Sequence, residues 1–165
     1  MITLKANNEI GVLLYSLFGF VGESIGIGTI FLFLFEKWIW RFSFIPKLHG
    51  TPVLATKYAG TIHSNYDDKD RPANLVVNQS FLKIVVKLGT QESSSGSLNA
   101  DIQEINGQNT LVYNYLNTPQ ADVRERSPIH YGTAILRIQD DSVLSGDYFT
   151  DRKTTGTMSF CSDKE

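Results

Sequence analysis

The sequence predicts an N-terminal transmembrane helical anchor followed by an all-β domain, about eight antiparallel strands closed up and down into a lipocalin-like β-barrel. Three observations carry that reading. A long apolar run near the N-terminus suits a membrane span. Beyond Pro46, short β-prone runs recur about every 8–12 residues between turn signals. Several of those runs alternate apolar and polar residues with a period of two, and none shows a helical period of comparable length.

With 165 residues, the chain has room for one ordinary domain and a short appendage. The division falls at 1–45, the anchor and its interfacial junction, and 46–165, the ligand-binding barrel. The second part can bury a core without a disulfide or metal staple. Cys161 is the single cysteine, so no internal bridge can form, which suits a reducing compartment. A formal charge of −2 lacks the field that DNA or RNA binding needs, and neither is expected as a partner. Aromatic residues, at 12%, favour strands and stacking surfaces. His49, His63 and His130 are isolated from one another, and no Cys/His/Asp cluster has metal-ligand spacing. No metal or cofactor is expected.

The apolar run extends from Ile10 to Phe35, broken only by Ser16, Glu23, Ser24, Thr29 and several glycines. As a helix rising 1.5 Å per residue it crosses a hydrocarbon core of about 30 Å with some tilt. Glu36-Lys37-Trp38-Ile39-Trp40-Arg41 follows, pairing tryptophans with basic residues as a membrane–water interface favours. Phe31–Phe35 continues straight into this belt, which argues for an uncleaved anchor rather than a signal peptide. Lys37, Arg41 and Lys47 follow the span and Lys5 alone precedes it, so the positive-inside rule places the barrel in the cytoplasm. Glu23 admits two readings: a break between short segments Ile10–Gly22 and Ile25–Phe35, or a carboxylate facing a helix bundle or watery path. Gly19, Gly22, Gly26 and Gly28 would let helices approach closely.

Strands are expected near Ala55–Ser64, Leu75–Gln79, Phe81–Gly89, Ser97–Glu104, Thr110–Leu116, Ile129–Gln139, Val143–Thr150 and Gly156–Cys161. Between them lie a polar loop at Asp67–Pro72, a Ser/Gly turn at Glu92–Gly96, a primed-hairpin turn at Asn106-Gly107, a charged loop at Thr118–Pro128 and a tight turn at Asp140–Ser142. Leu82, Ile84, Val86 and Leu88 alternate with Lys83, Val85 and Lys87. Leu98, Ala100 and Ile102 alternate with Asn99, Asp101 and Gln103, and Gly132, Ala134, Leu136 and Ile138 with Thr133, Ile135, Arg137 and Gln139. One face is therefore buried and one wet, as in an antiparallel meander. Closure removes the exposed edges and leaves an interior wide enough for one small ligand. A two-sheet sandwich is the alternative.

The run Leu144-Ser145-Gly146-Asp147-Tyr148-Phe149-Thr150-Asp151-Arg152-Lys153-Thr154-Thr155-Gly156 resembles a signature, L-x-G-x-Y-F-T-x-R-x-T-x-G, of the CD-NTase-associated protein 15 family. These are membrane-anchored β-barrel effectors of bacterial CBASS anti-phage systems. Val76–Gln79, Ser93–Ser97, Leu111–Asn117 and His130–Ala134 are also similar to that family, as is the order of anchor, Trp-rich junction and barrel. The resemblance implies that a partner synthase makes a cyclic di- or oligonucleotide, which the barrel binds. Effectors then assemble as homo-oligomers and disrupt the inner membrane, leading to cell death. The family is described with two transmembrane segments, whereas this sequence offers one long span or two short ones around Glu23.

A cyclic nucleotide calls for cationic or polar groups against its phosphates and flat aromatic faces against its bases. Tyr148, Thr150 and Arg152 share strand parity, with Lys153 and Thr155 just beyond, and Tyr113, Tyr115 and Asn117 share a face of their own strand. Each tyrosine has a plain alternative in core or cross-strand packing, and Arg152 and Lys153 in a solvated turn. Ser93–Ser95 reads as a flexible turn, Asp67-Asp68-Lys69-Asp70 and Asp140-Asp141 as turn chemistry, and His130 as structural. A Gly-x-Ser-x-Gly elbow, a Walker loop and a Gly-x-Gly-x-x-Gly fingerprint are absent, so no catalysis is expected. The rival functions are a membrane-tethered lipocalin-like carrier of a lipid or other apolar ligand, and a structural module with a solid interior.

Overall fold

The computed structural model describes residues 2–42, 44–140 and 142–162. Asp141 of the predicted 140–142 turn, and the side chains of Lys5, Lys47 and His49, lie outside what it describes. The chain divides into two compact units, Met1–Trp40 and Arg41–Glu165.

The first unit is one helix, α1 (Ile2–Lys37), followed by a 3-10 turn, Ile39–Arg41, that runs into the second. Within α1 the stretch Gly11–Lys37, 27 residues of mean hydropathy 1.9, is long and apolar enough to cross a membrane. Its helix is continuous through Glu23, so the two-segment alternative is not realised. Ser16 and Thr29 turn their hydroxyls back onto the carbonyls of Val12 and Ile25, at 2.9 and 2.8 Å. Each spends its polarity inside the helix.

The second unit begins with a short helix, α2 (Ile45–His49), ended by Gly50 in the left-handed region. Eight strands follow: β1 (Lys57–Ser64), β2 (Lys69–Gln79), β3 (Ile84–Thr90), β4 (Ser93–Ile105), β5 (Gln108–Pro119), β6 (His130–Gln139), β7 (Val143–Thr150) and β8 (Thr155–Ser162). Each pairs antiparallel with its neighbour in sequence, and β1 pairs with β8 to close the barrel. The fold is the up-and-down closed barrel, not the sandwich. Asn106 and Gly107 both take positive φ, 53° and 76°, as the primed turn between β4 and β5 requires.

Three local expectations are corrected. Ser93–Ser95 is no flexible turn but the start of β4, and Lys69–Pro72 belongs to β2 rather than to a loop. Strands that lean in a barrel overrun their neighbours at the ends, so turn-prone residues there are drawn into the ladder. The third concerns phase. Leu82 precedes β3 and is 79% exposed, and Leu98 is 64% exposed. A bulge between Ser97 and Asn99 skips Leu98 in the pairing with β5, so the inward set of β4 passes from Ser93, Ser95 and Ser97 to Ala100 and Ile102. The same bulge leaves only three paired positions between β3 and β4, and the Ser97 hydroxyl accepts from the Val86 amide at 2.9 Å in place of a ladder bond.

Candidate functional site

Inward side chains change character along each strand in the same direction. On β5 they run Leu111, Tyr113, Tyr115, Asn117, and on β7 Leu144, Tyr148, Thr150. β3 goes from Val86 and Leu88 to Thr90, and β1 from Tyr58 and Ile62 to Ser64. The apolar ends coincide and form the core, with Leu75, Leu111, Leu136, Leu144 and Phe160 fully buried. Around this end the entering chain is tied down: Gln79 accepts from the Leu54 amide at 2.8 Å and donates to the Pro52 carbonyl at 2.9 Å.

The polar ends also coincide, beneath the loops joining β1–β2, β3–β4, β5–β6 and β7–β8. They line a cavity of about 220 Å³. Its deeper wall is aromatic. Tyr113 and Tyr115 have ring centroids 5.8 Å apart, with planes at 47°, and the Tyr113 hydroxyl donates to Met158 Sδ at 3.9 Å. Burial raises both phenol pKa values. The neighbouring Tyr115 adds to this at Tyr113, and Tyr148 and Asp151 add to it at Tyr115. Both stay protonated donors at neutral pH.

Two glycines fix ring positions. Gly132 is the cross-strand partner of Tyr115, and a Cβ there would fall 2.3 Å from Tyr115 Cζ. Gly156 is the partner of Tyr148, and its Cβ would meet Tyr148 Cε1 at 2.6 Å. Each ring therefore lies close over bare backbone, and both line the cavity.

Three arginines stand among the lining residues. Arg71 makes a two-armed fork to Asp67, with Nη1 donating to Oδ1 at 3.0 Å and Nη2 to Oδ2. That fork holds the Asp67 carboxyl below its usual range and raises Arg71. Arg126 reaches Glu92 Oε1 at 2.7 Å through one nitrogen. Arg152 donates to Ser127 Oγ at 3.0 Å, and among the described residues has no carboxylate partner. The segment carrying Arg126 and Ser127 crosses the mouth, and Val123 buries into it. Gln120 anchors it, donating through Nε2 to the Gln91 carbonyl at 2.9 Å.

Of the residues singled out from sequence, Tyr113, Tyr115, Asn117, Tyr148, Thr150 and Arg152 all line the cavity. Lys153 and Thr155 do not. Lys153 is exposed at positive φ, 62°, in the β7–β8 turn, and Thr155 is exposed on β8. The inward set keeps its even parity through the turn, Thr154 and Met158 continuing Thr150 and Arg152, so the odd-numbered Lys153 and Thr155 fall outside it. Thr150 gives its hydroxyl contact to Thr154, at 2.6 Å. Sequence reasoning missed Arg71, Ser95 and Arg126. For Arg71 a signal existed: carrying the inward parity of Val77, Leu75 and Ala73 two residues further reaches it. His130, read as structural, also lines the cavity, with Nδ1 2.9 Å from the Pro128 carbonyl. Among the described residues no group of three or more His, Cys, Asp or Glu could hold a metal ion.

Fold and cavity define a ligand-binding β-barrel whose site combines aromatic faces, uncharged polar groups and guanidinium ions. The chain belongs to the Cap15 cyclic dinucleotide receptor domain family, whose model matches residues 45–161. It is 27% identical over 139 residues to CD-NTase-associated protein 15 of Staphylococcus schleiferi, an alignment covering 84% of this chain and 76% of that protein. The resemblance read from sequence thus holds: this is a β-barrel of the cyclic dinucleotide receptor class, from a CBASS-associated family of receptors rather than known enzymes.

Proposed function

We propose that the chain is a membrane-anchored effector of anti-phage immunity whose barrel binds a cyclic di- or oligonucleotide in the cavity between the tyrosines and the arginines. The observation that carries this is the co-location, at one barrel end, of Tyr113, Tyr115 and Tyr148 with Arg71, Arg126 and Arg152. Guanidinium groups match phosphate geometry, and tyrosine faces accept bases of any sequence. A lipocalin-like carrier of an apolar ligand would want an aliphatic lining, and the cationic and hydroxyl-bearing wall weighs against it. Six of the eight residues first singled out, Tyr113, Tyr115, Asn117, Tyr148, Thr150 and Arg152, make up the site in this reading, without Lys153 and Thr155.

α1 is the anchor and the membrane-acting part, with the barrel cytoplasmic and the synthase of the nucleotide its functional partner. Exposed Trp38, Phe42, Phe44 and Leu48 suit the interfacial layer. Binding drives homo-oligomerisation, and the assembled helices breach the inner membrane.

The test has two arms. The full-length protein in lipid nanodiscs is titrated calorimetrically with a panel of cyclic di- and trinucleotides, and saturable binding to at least one is expected. In cells co-expressing a cyclic dinucleotide synthase, the full chain should admit a membrane-impermeant dye, and a chain lacking residues 1–40 should not. Failure of the whole panel, with binding of fatty acid instead, would hand the barrel to the carrier reading.

A further inference from the structure

Resting on the receptor reading, we infer that Asn117, assisted by Ser95, reads a base edge of the ligand and sets base preference. The two residues are cross-strand partners on β4 and β5 and both line the cavity. Asn117 is 9% exposed and Ser95 7%. Among the described residues neither side chain has a hydrogen-bond partner in the protein, and nor do the hydroxyls of neighbouring Tyr115 and Tyr148, whereas Gln79, Thr110 and Thr150 each have one. Gln79 is satisfied by Pro52 and Leu54, Thr110 by the Gln108 carbonyl, and Thr150 by Thr154.

A largely buried amide with no protein partner, lining a cavity, keeps its hydrogen-bonding capacity for whatever enters there. The chemistry selects the part of the ligand. A phosphate offers only acceptors, so the amide oxygen of Asn117 would face it unfavourably, and the arginines already supply donors. A base edge offers a donor beside an acceptor, which is what a carboxamide complements; adenine, with N6–H and N7, is the standard match. The Ser95 hydroxyl can donate or accept and so completes the edge without dictating it. Tyr115, two residues before Asn117 and fixed over Gly132, supplies a stacking face beside that edge.

Two substitutions test this in the full-length protein in nanodiscs, with cyclic di-AMP and cyclic di-GMP as probes. Asn117→Leu removes the amide while keeping the number and branching of heavy atoms. It should weaken cyclic di-AMP at least tenfold while leaving the melting temperature of the unliganded protein unchanged or higher, a combination that a merely structural asparagine would not give. Asn117→Asp replaces the donor–acceptor pair with two acceptors. It should shift the ratio of the two dissociation constants at least tenfold toward cyclic di-GMP, whose N1–H and N2–H present two donors, even if the added charge weakens both ligands. Cyclic di-AMP affinity retained in the Leu variant, or an unmoved ratio in the Asp variant, would overturn the inference and leave the receptor reading standing. A wild-type protein that binds neither probe but binds another member of the wider panel would overturn it too. Failure of the entire panel would instead remove the receptor reading beneath it.

Discussion

The two ends of this barrel are built from the same eight strands and do opposite jobs. At the closed end Leu75, Leu111, Leu136, Leu144 and Phe160 leave no polar atom to satisfy, and the entering chain is pinned over them through Gln79. At the open end the same strands contribute Ser64, Thr90, Asn117 and Thr150, and three arginines stand round the mouth. Stability is concentrated where the interior is dry, and recognition where it is left incomplete. One barrel holds both because its rungs are layered: an alternating strand delivers one inward residue per layer, so a strand can start as core and finish as site.

Substitutions should separate the two ends. The largest effect is expected at the closed end. Phe160→Ala empties the centre of the dry layer and should cost about 3–5 kcal/mol of unfolding free energy, measured by chemical denaturation, with affinity for ligand falling only as far as the folded fraction does. At the open end Arg152→Ala should do the reverse. Losing a charged hydrogen bond to the ligand is worth roughly 1.5–3 kcal/mol, or on the order of ten- to a hundredfold in affinity, while stability changes by under about 0.5 kcal/mol as for an ordinary surface site. If Phe160→Ala abolished binding while the protein remained folded, or Arg152→Ala unfolded it, the division of labour would be wrong.

The smallest effect is one of pH. Because Arg71 depresses the Asp67 pKa in the folded state, the pair stabilises the fold above the unfolded-state value of about 3.9, and that contribution disappears as pH falls through the depressed one. Asp67→Asn should therefore lower the melting temperature slightly at pH 7 and converge with the wild type in strong acid. A gap that widened on acidification would contradict the sign.

Much of this layered plan was legible in the sequence. Short β-prone runs between turn signals located all eight strands, with period-two alternation clear in several of them, and Tyr113, Tyr115, Asn117, Tyr148, Thr150 and Arg152 shared the parity that the cavity uses. What escaped had physical causes. Ser93–Ser95 has the composition of a turn, and only the ladder to Thr118 and Asn117 makes it strand. Leu98 looked inward because a bulge leaves no mark in a hydrophobicity pattern. Arg71 and Arg126 sat in stretches read as charged loops, and bringing them to one mouth took closure of β1 onto β8. Lys153 and Thr155 were misplaced for a different reason: they follow Arg152 closely in sequence, yet both break the parity that Tyr148, Thr150 and Arg152 share and that persists through the turn.

The ring-over-glycine pairs carry a consequence for how this barrel can vary. Tyr115 with Gly132, Tyr148 with Gly156, and Phe160 with Gly60, where an added Cβ would lie 2.8 Å from Phe160 Cδ1, are each a large residue occupying space that its neighbour has given up. Neither member can change alone. A side chain at the glycine collides with the ring, and a smaller residue at the ring leaves a gap that the glycine cannot fill. At Gly132, whose nearest neighbours are all atoms of the Tyr115 ring, sequence change passes as a coordinated exchange of large for small; at Gly60 and Gly156 an added Cβ would also fall 1.9 and 2.0 Å from the backbone carbonyls of Ser159 and His63, so the glycine is held whatever the ring becomes. Two of the three pairs hold tyrosines of the cavity wall, so one part of the ligand site is inherited as a unit of two residues on adjacent strands and another rests on a glycine that cannot vary.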